Sequence, residues 1–143
     1  MSEAQEHMKK ALKNVVIPLL RERAFVGSFP HFRRRQLNRI DLLTFQFDRQ
    51  GGGFVIEISQ SPLEGITTHW GKKISPEKVT AWDLPPKQRA RLKPQQGSGT
   101  DSWFRYDEAA TPDDFTEAAE SVLPCLAEVD KMFDDFQKIS KVG

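Results

Sequence analysis

Seven residues of this chain have side chains that could bind a ligand or a partner. Five of them lie on three consecutive predicted strands. These five are His31, Arg33, Thr44, Gln46 and Glu57. A period of two sends alternate strand residues to the same sheet face, so we expect the five to lie on one face. Imidazole, guanidinium, amide and carboxylate groups gathered under a long loop could bind a polar ligand. An ordinary solvated sheet face, the preferred interpretation, would carry the same residue types.

The other two candidates, His69 and Trp70, lie in the short sequence TTHWGKK at residues 67–73. His69 could carry a proton, Trp70 could serve as an aromatic platform, and two lysines follow them. Spacing specifies no acid or nucleophile as a partner for His69. We therefore prefer to interpret Trp70 as an anchor of the loop, with catalysis as the alternative.

Clustered positive charge is the third feature that could do chemistry. The cationic residues form two runs, Arg33, Arg34, Arg35 and Arg39, then Lys87, Arg89, Arg91 and Lys93. Arginines beside aromatic residues could bind single-stranded nucleic acid or a phosphate group. Residues 101–143 hold 4 Lys/Arg against 11 Asp/Glu, whereas residues 1–100 hold 17 against 9. The acidic end of the chain could therefore satisfy the arginines internally, and an acidic protein partner is at least as well supported as nucleic acid.

Several classes of site are disfavoured by composition. Cys125 is the single cysteine, which excludes an intramolecular disulfide and points to a reducing compartment. The three histidines lack metal-ligand spacing, and the glycines at 51–53 lead into a strand rather than into the helix that a phosphate-binding loop requires. We expect no metal and no cofactor.

The amino terminus, MSEAQEHMKK, lacks the apolar stretch of a signal peptide, and no run approaches eighteen apolar residues. These features favour a cytoplasmic protein without a membrane segment.

The elements that must position these residues centre on a predicted β-hairpin at residues 39–60. Leu43, Phe45 and Phe47 share one parity on the first strand, and Phe54, Ile56 and Ile58 resume an apolar face on the second. Glycine at 51–53 supplies the reversal. The loop could include all of 48–53, which leaves the strand register open.

Around this hairpin, the pattern predicts one domain spanning residues 1–143. Its elements are a helix at 8–24 kinked at Pro18, a three-stranded meander at 25–60, a long ordered loop at 61–102 with a mobile stretch at 95–100, a short strand at 103–107, and a helix at 112–139 kinked or divided at Pro124. Ordered covering of apolar surface is the preferred interpretation of the long loop, and a functional loop is the alternative.

Two stretches carry a family resemblance: ALKNVVIPLLRERAFVGSFPHFRR and then RIDLLTFQFDRQGGGFVIEI, within residues 8–60. Together they resemble the bacterial domain of unknown function family 4304, in which a helix ends at a Gly-Phe step and two strands follow. Ala24 stands where that pattern has glycine, so the termination of this helix is left open. The family has no established activity, and the resemblance implies only the fold and a bacterial cytosolic context.

The predicted fold is α+β, an antiparallel sheet of three to five strands with amino-terminal and carboxy-terminal helices packed on one face. For function, the sequence favours a non-enzymatic binding or protein-interaction module, of immunity or regulatory type, with an unidentified protein partner. One alternative is a small enzyme acting on an anionic substrate, with His31 or His69 and Glu57 as acid-base groups. A single-stranded nucleic-acid binder is the other.

Overall fold

The computed structural model of the chain describes residues 2–94 and 101–142, and for 136–142 the backbone alone. It confirms the predicted α+β class, with an antiparallel sheet and terminal helices. The helices in the described residues are α1 (Glu3–Val15), α2 (Ile17–Glu22), α3 (Pro112–Glu120), α4 (Leu123–Ala127) and α5 (Val129–Val142). The strands are β1 (Val26–Ser28), β2 (His31–Arg35), β3 (Ile40–Phe47), β4 (Gly53–Ser61), β5 (Ile66–Thr67), β6 (Lys73–Ile74), β7 (Ala90–Arg91) and β8 (Phe104–Arg105).

The main sheet has six strands in the order β1-β2-β3-β4-β7, and β8 also pairs with β4. The predicted count of three to five strands was too low, because two-residue strands such as β7 carry no periodic signal. Strands β7 and β8 divide one edge of β4, since β7 pairs at Glu57 and Ile58 while β8 pairs at Gly53 and Phe54. At the opposite edge, Arg21 Nη2 donates to the carbonyl oxygen of Gly27 in β1 at 2.7 Å.

The segment at 25–35, predicted as a single edge strand, folds into two strands. Ser28 pairs with His31, so the chain reverses at the cis Phe29–Pro30 peptide. Pro30 has no N–H to donate and fits a turn better than a strand. The predicted three-stranded meander at 25–60 therefore contains four strands.

The amino-terminal helix is longer than predicted and is divided at Val16. It begins at Glu3, where the Ser2 hydroxyl caps it by accepting from the N–H of Gln5 at 3.0 Å. Pro18 falls in the first turn of α2, where a proline is tolerated because that N–H has no intrahelical partner.

The carboxy-terminal helix predicted at 112–139 is three helices. Thr111 caps α3 through a capping box with Asp114, and Pro124 lies in the first turn of α4. A second break precedes Val129, where α5 begins.

Helix α2 ends at Glu22 with Arg23 as its C-cap, and the next residue, Ala24, has a left-handed φ of 72°. The N–H of Phe25 donates to the carbonyl of Leu20 at 2.9 Å, and that of Ala24 donates to Arg21 at 3.0 Å. These are the two hydrogen bonds of a Schellman motif, which glycine usually completes. The helix therefore ends in the left-handed manner of the family pattern although the residue is alanine.

Apolar residues cover both faces of the sheet. The predicted set around Leu43 and Phe45 packs against the helices in the larger core. On the other face, Ile40 and Leu42 pack against Val79, Ala81 and Leu84. Those partners belong to residues 62–92, here named the covering segment, which forms a third layer.

The covering segment was predicted as part of a long ordered loop at 61–102. It contains the β5–β6 hairpin, the 3-10 turns Ala81–Asp83 and Pro86–Gln88, and β7. The stretch at 95–100, predicted to be mobile, lies outside the described residues.

Candidate functional site

The five strand candidates share the sheet face that turns away from the helices, which we name the outward face. His31 pairs with Thr44, Thr44 with Glu57, and Glu57 with Arg91, so these residues form one row across four strands. Arg33 lies in the next row on one side and Gln46 in the next row on the other. The register, which the sequence left open, therefore brings four polar side chains into one line.

The centre of this face is not solvated. Thr44 is 0% exposed and Glu57 is 5% exposed, whereas His31, Arg33 and Gln46 are half-buried. The preferred interpretation of an ordinary solvated face is wrong here, because the covering segment packs on the apolar residues that share the face. Leu42, which has the parity of Thr44, is one of these.

His31 makes two close contacts within and above the row. Its Nδ1 lies 3.0 Å from Thr44 Oγ1, and the Trp82 ring meets it edge-on at 4.8 Å between centroids. Burial lowers the pKa of His31, the Asp83 carboxylate partly offsets this, and the Arg33 charge adds to the lowering. The neutral imidazole is thereby favoured.

Glu57 and Arg89 fasten the covering segment to the sheet. Arg89 Nη1 lies 3.5 Å from Glu57 Oε2, and the same guanidinium donates to the carbonyl oxygens of Leu84 at 2.7 Å and Trp82 at 3.3 Å. Arg33 likewise donates to the carbonyl of Val79 at 3.1 Å. The polar groups of the outward face thus hold the third layer in place.

This arrangement does not form an acid-base pair from His31 and Glu57. Strand β3 lies between their strands, and two strand spacings amount to roughly 9–10 Å. His69 is exposed on the β5–β6 loop, where its ring contacts Trp70 edge-on at 4.7 Å. The geometry brings neither histidine into hydrogen-bond range of Glu57 in the described residues.

Trp70 projects into solvent from a tightly bonded turn, so its interpretation as a loop anchor was wrong. The side chain is 67% exposed, whereas Ile66 and Ile74 at the base of the hairpin pack on the smaller core. The N–H of Thr68 donates to the carbonyl of Lys72 at 2.8 Å, and the N–H of Lys72 donates back to the Thr68 hydroxyl at 3.0 Å. The turn fixes its own backbone and presents the indole outward.

Trp82 is the second exposed indole of the covering segment, at 44%. The covering segment also holds six Lys/Arg against three Asp/Glu. The exposed residues Trp70, Lys72, Lys73 and Trp82 of the covering segment are together named the tryptophan surface below.

Most arginines of the run at 33–39 form hydrogen bonds or ion pairs within the domain. The Asp41 carboxylate, 0% exposed, accepts from Arg34 at 2.9 and 3.1 Å, from Arg39 at 2.8 Å, from Gln36 at 3.0 Å and from Gln60 at 3.3 Å. Desolvation lowers the pKa of Arg39, but its bonds to Asp134 and Asp41 outweigh this and raise that pKa above its usual value. The run therefore does not form an open platform for phosphate.

Helix α5 supplies the remaining carboxylates of this network. Asp130 pairs with Arg34 at 2.7 Å and with Arg23 at 3.2 Å, while Asp134 pairs with Arg39 at 2.9 Å. The acidic end of the chain thus satisfies arginines internally, which was the alternative interpretation of the charge pattern.

One family model, described as a domain of unknown function (DUF4304), matches residues 6–124. The chain belongs to this family. The matched segment of the DUF4304 domain extends well beyond the resemblance at 8–60 and includes all seven candidate residues. No curated protein and no solved structure matches the chain.

Sequence reasoning missed the buried network of the DUF4304 domain, although one signal was present. Asp41 has the parity of Leu43 and Phe45, so it is an acid at an apolar-face position of a strand. A buried carboxylate requires a paired cation and hydrogen bonds. That requirement points to Arg34 once the strands are paired, because β2 and β3 place the two residues opposite each other.

Two further properties bear on what the DUF4304 domain can bind. Within residues 2–94 and 101–135, no group of three His, Cys, Asp or Glu side chains is placed to hold a metal ion. Over the same described portion of the chain, the helices are too short or too polar to cross a bilayer.

Proposed function

We propose that this DUF4304 domain is a non-enzymatic module that binds another protein through its tryptophan surface. The observation that carries the proposal is Trp70, 67% exposed on a turn whose backbone is already fixed. Tryptophan is enriched among residues that dominate interface energetics. A side chain presented on a fixed turn also loses less conformational entropy when a partner binds.

The partner is expected to be acidic around the pocket that receives Trp70. Lys72 and Lys73 are exposed and follow Trp70 by two and three residues, and the covering segment as a whole carries an excess of positive charge. Complementary charge steers encounter and makes association dependent on salt. We place this binding in the bacterial cytoplasm, where the buried thiol of Cys125 stays reduced, and in a role of immunity or regulatory type.

The polar residues of the outward face support a binding role over catalysis. His31 contacts the Trp82 ring and Glu57 pairs with Arg89 of the covering segment, whereas His31 and Glu57 form no acid-base pair. Their physical task is to hold the covering segment, and with it Trp70 and Trp82, in one position.

A cross-linking experiment tests the proposal. A photoreactive group at position 73 captures proteins from a bacterial lysate, and the cross-linked site on each captured protein is mapped. Trp70→Ala is expected to reduce capture of the specific partner about thirtyfold, the loss of a typical hot spot. Leu37→Ala is the matched control, because Leu37 is 97% exposed on the separate β2–β3 loop.

Equal capture by the Trp70→Ala and Leu37→Ala variants would show that the tryptophan surface is not the contact. A metabolite that raises the melting temperature of the wild type, but not of a His31→Gln variant, would replace the proposal by a small-molecule site on the outward face. Raised salt is expected to weaken capture if the partner is acidic.

A further inference from the structure

Helix α5 lies in a groove whose walls come from the sheet and from the end of α2. The groove comprises Arg23, Phe25, Arg34, Arg39 and Gln60, and we name it the α5 groove. Phe133 is 0% exposed there, with its ring 6.1 Å from Phe25 and 5.7 Å from the Arg34 guanidinium, measured to the ring centroid. The Phe133 ring thus packs against both an aromatic ring and a cation.

The occupant meets the groove with a simple helical pattern. Asp130, Phe133 and Asp134 are spaced i, i+3 and i+4, so they share one face of α5. The two carboxylates reach the three arginines, and Gln60 Nε2 donates to the backbone carbonyl of Phe133 at 2.6 Å. Asp41 neutralises one of the three arginine charges, which leaves two positive charges for two carboxylates.

The receptor side of this contact also has bonds of its own that do not involve α5. Asp41 fixes the guanidinium groups of Arg34 and Arg39 through buried bonds, and the Arg34 guanidinium lies 4.5 Å from the Phe25 ring centroid. In contrast, the side chains of Asp130 and Asp134 are 54% and 64% exposed. Exposed ion pairs contribute little and are screened by salt.

The end of the family match separates the α5 groove from its occupant. The groove lies within residues 6–124, whereas α5 begins at Val129. A groove inside the matched segment is thus filled by a helix outside it, through the buried Phe133 side chain and through ion pairs whose carboxylates are exposed.

We infer that the α5 groove is a recognition site for an acidic amphipathic helix, that α5 is its intramolecular occupant, and that a partner helix with the pattern D-x-x-F-D displaces it. Recognition of a helix in a groove by anchors on one face is a recurring binding mode. A helix fits better than nucleic acid, because Gln60 bonds to a backbone carbonyl and Phe133 fills a pocket that a phosphate would leave empty. This inference concerns a surface separate from the tryptophan surface and goes beyond the proposed function.

The probe is a fluorescein-labelled peptide of residues 127–142, AEVDKMFDDFQKISKV, titrated into the full chain and followed by polarisation. Intramolecular α5 competes at a high effective concentration, so binding to the wild type is expected to be weak. Asp130→Asn together with Asp134→Asn weakens the occupant without changing its shape. The peptide should bind this variant about tenfold more tightly, and a peptide with Phe133→Ala should bind neither protein.

The matched control is Glu117→Gln together with Glu120→Gln, which removes the same charge from exposed positions of α3. This variant and Trp70→Ala are both expected to keep the wild-type peptide affinity. The second of these separates the α5 groove from the tryptophan surface, since either proposal can then fail alone.

Hydrogen exchange on the wild type provides a readout that needs no variant. Backbone amides of α5 should exchange faster as salt rises from low to physiological and higher values, while those of α1 keep their protection. Equal exchange of α1 and α5 at every salt concentration would overturn the inference. So would equal peptide affinity for the wild type and the double Asp→Asn variant, or binding of a single-stranded oligonucleotide to that variant which the peptide does not displace.

Discussion

Ala24→Gly is expected to stabilise this domain, although glycine usually weakens a helical region. Ala24 is an exposed residue with a φ of 72°. It follows the end of α2, where the N–H groups of Ala24 and Phe25 donate to carbonyl oxygens of the helix. For an L-residue with a Cβ, the left-handed conformation costs about 1–2 kcal/mol. Glycine removes this penalty and keeps both hydrogen bonds, which involve only the backbone.

The gain is reduced by the greater freedom of glycine in the unfolded chain, which costs about 0.4–1 kcal/mol. Because the methyl group of Ala24 is exposed, its removal leaves no cavity. The net expectation is about 0.5–1 kcal/mol of added stability. For a chain of this length, that corresponds to a melting temperature about 2–3 °C higher.

Urea denaturation followed by tryptophan fluorescence measures the change, with an unchanged slope against urea showing that the same surface is exposed on unfolding. Ala24→Val tests the opposite change at the same position, because a β-branched residue should destabilise the domain there. Ala4→Gly, at an exposed position of α1 with ordinary helical geometry, should also lose stability. The reasoning is refuted if Ala24→Gly is no more stable than the wild type while Ala4→Gly behaves as expected.

Three further outcomes are expected. Asp41→Asn removes the buried carboxylate that Arg34 and Arg39 share and leaves them the exposed carboxylates of α5, so urea denaturation should show a loss of about 3–5 kcal/mol. Gly65→Ala should displace the β5–β6 hairpin and change the tryptophan fluorescence, because φ is +90° at Gly65 and an added Cβ would overlap the carbonyl oxygen of Ile74. Gly71 also has a positive φ but has open space around it, so Gly71→Ala should change the fluorescence less. Burial lowers the pKa of His31, so the unfolded chain binds a proton at a higher pH than the folded chain does. The free energy of unfolding should therefore fall as pH drops from about 6.5 towards the lowered pKa of the folded chain. His31→Gln should flatten that part of the stability curve, and an unchanged slope would show that another group titrates there.

The hairpin of β3 and β4 could be predicted from the sequence because its signal is local. Leu43, Phe45 and Phe47 alternate with other residues, and Phe54 and Ile56 continue the pattern after the glycines. Such alternation assigns residues to faces without any knowledge of the rest of the chain. The predicted apolar face is accordingly the one that packs on the helices.

The third layer could not be predicted in the same way. Alternation shows which face is more polar, but it does not show whether another segment covers that face. The residues that do so, Val79, Ala81 and Leu84, have no regular spacing and lie among prolines. Leu42 on the more polar face was the available sign that Thr44 and Glu57 would be buried.

The α5 groove depends on separations that a single sequence does not encode. Arg34 meets Asp41 through strand register, and it meets Asp130 across 96 positions of the chain. Charge composition indicated that the acidic end could neutralise the arginines. It could not select which arginines would be paired, nor place Phe133 among them.

The division of one edge of β4 between β7 and β8 has a consequence for the kind of partner this domain can accept. Many recognition domains bind an extended peptide by adding it as a further strand, which requires a continuous run of open backbone at a sheet edge. Here β7 and β8 each occupy part of that edge, and Leu92 donates to Ile56 between them. The opposite edge is the three-residue β1, where Arg21 already occupies the carbonyl of Gly27. Strand addition is therefore disfavoured at both edges, which also protects the sheet from edge-to-edge aggregation and leaves partner choice to side chains rather than to backbone.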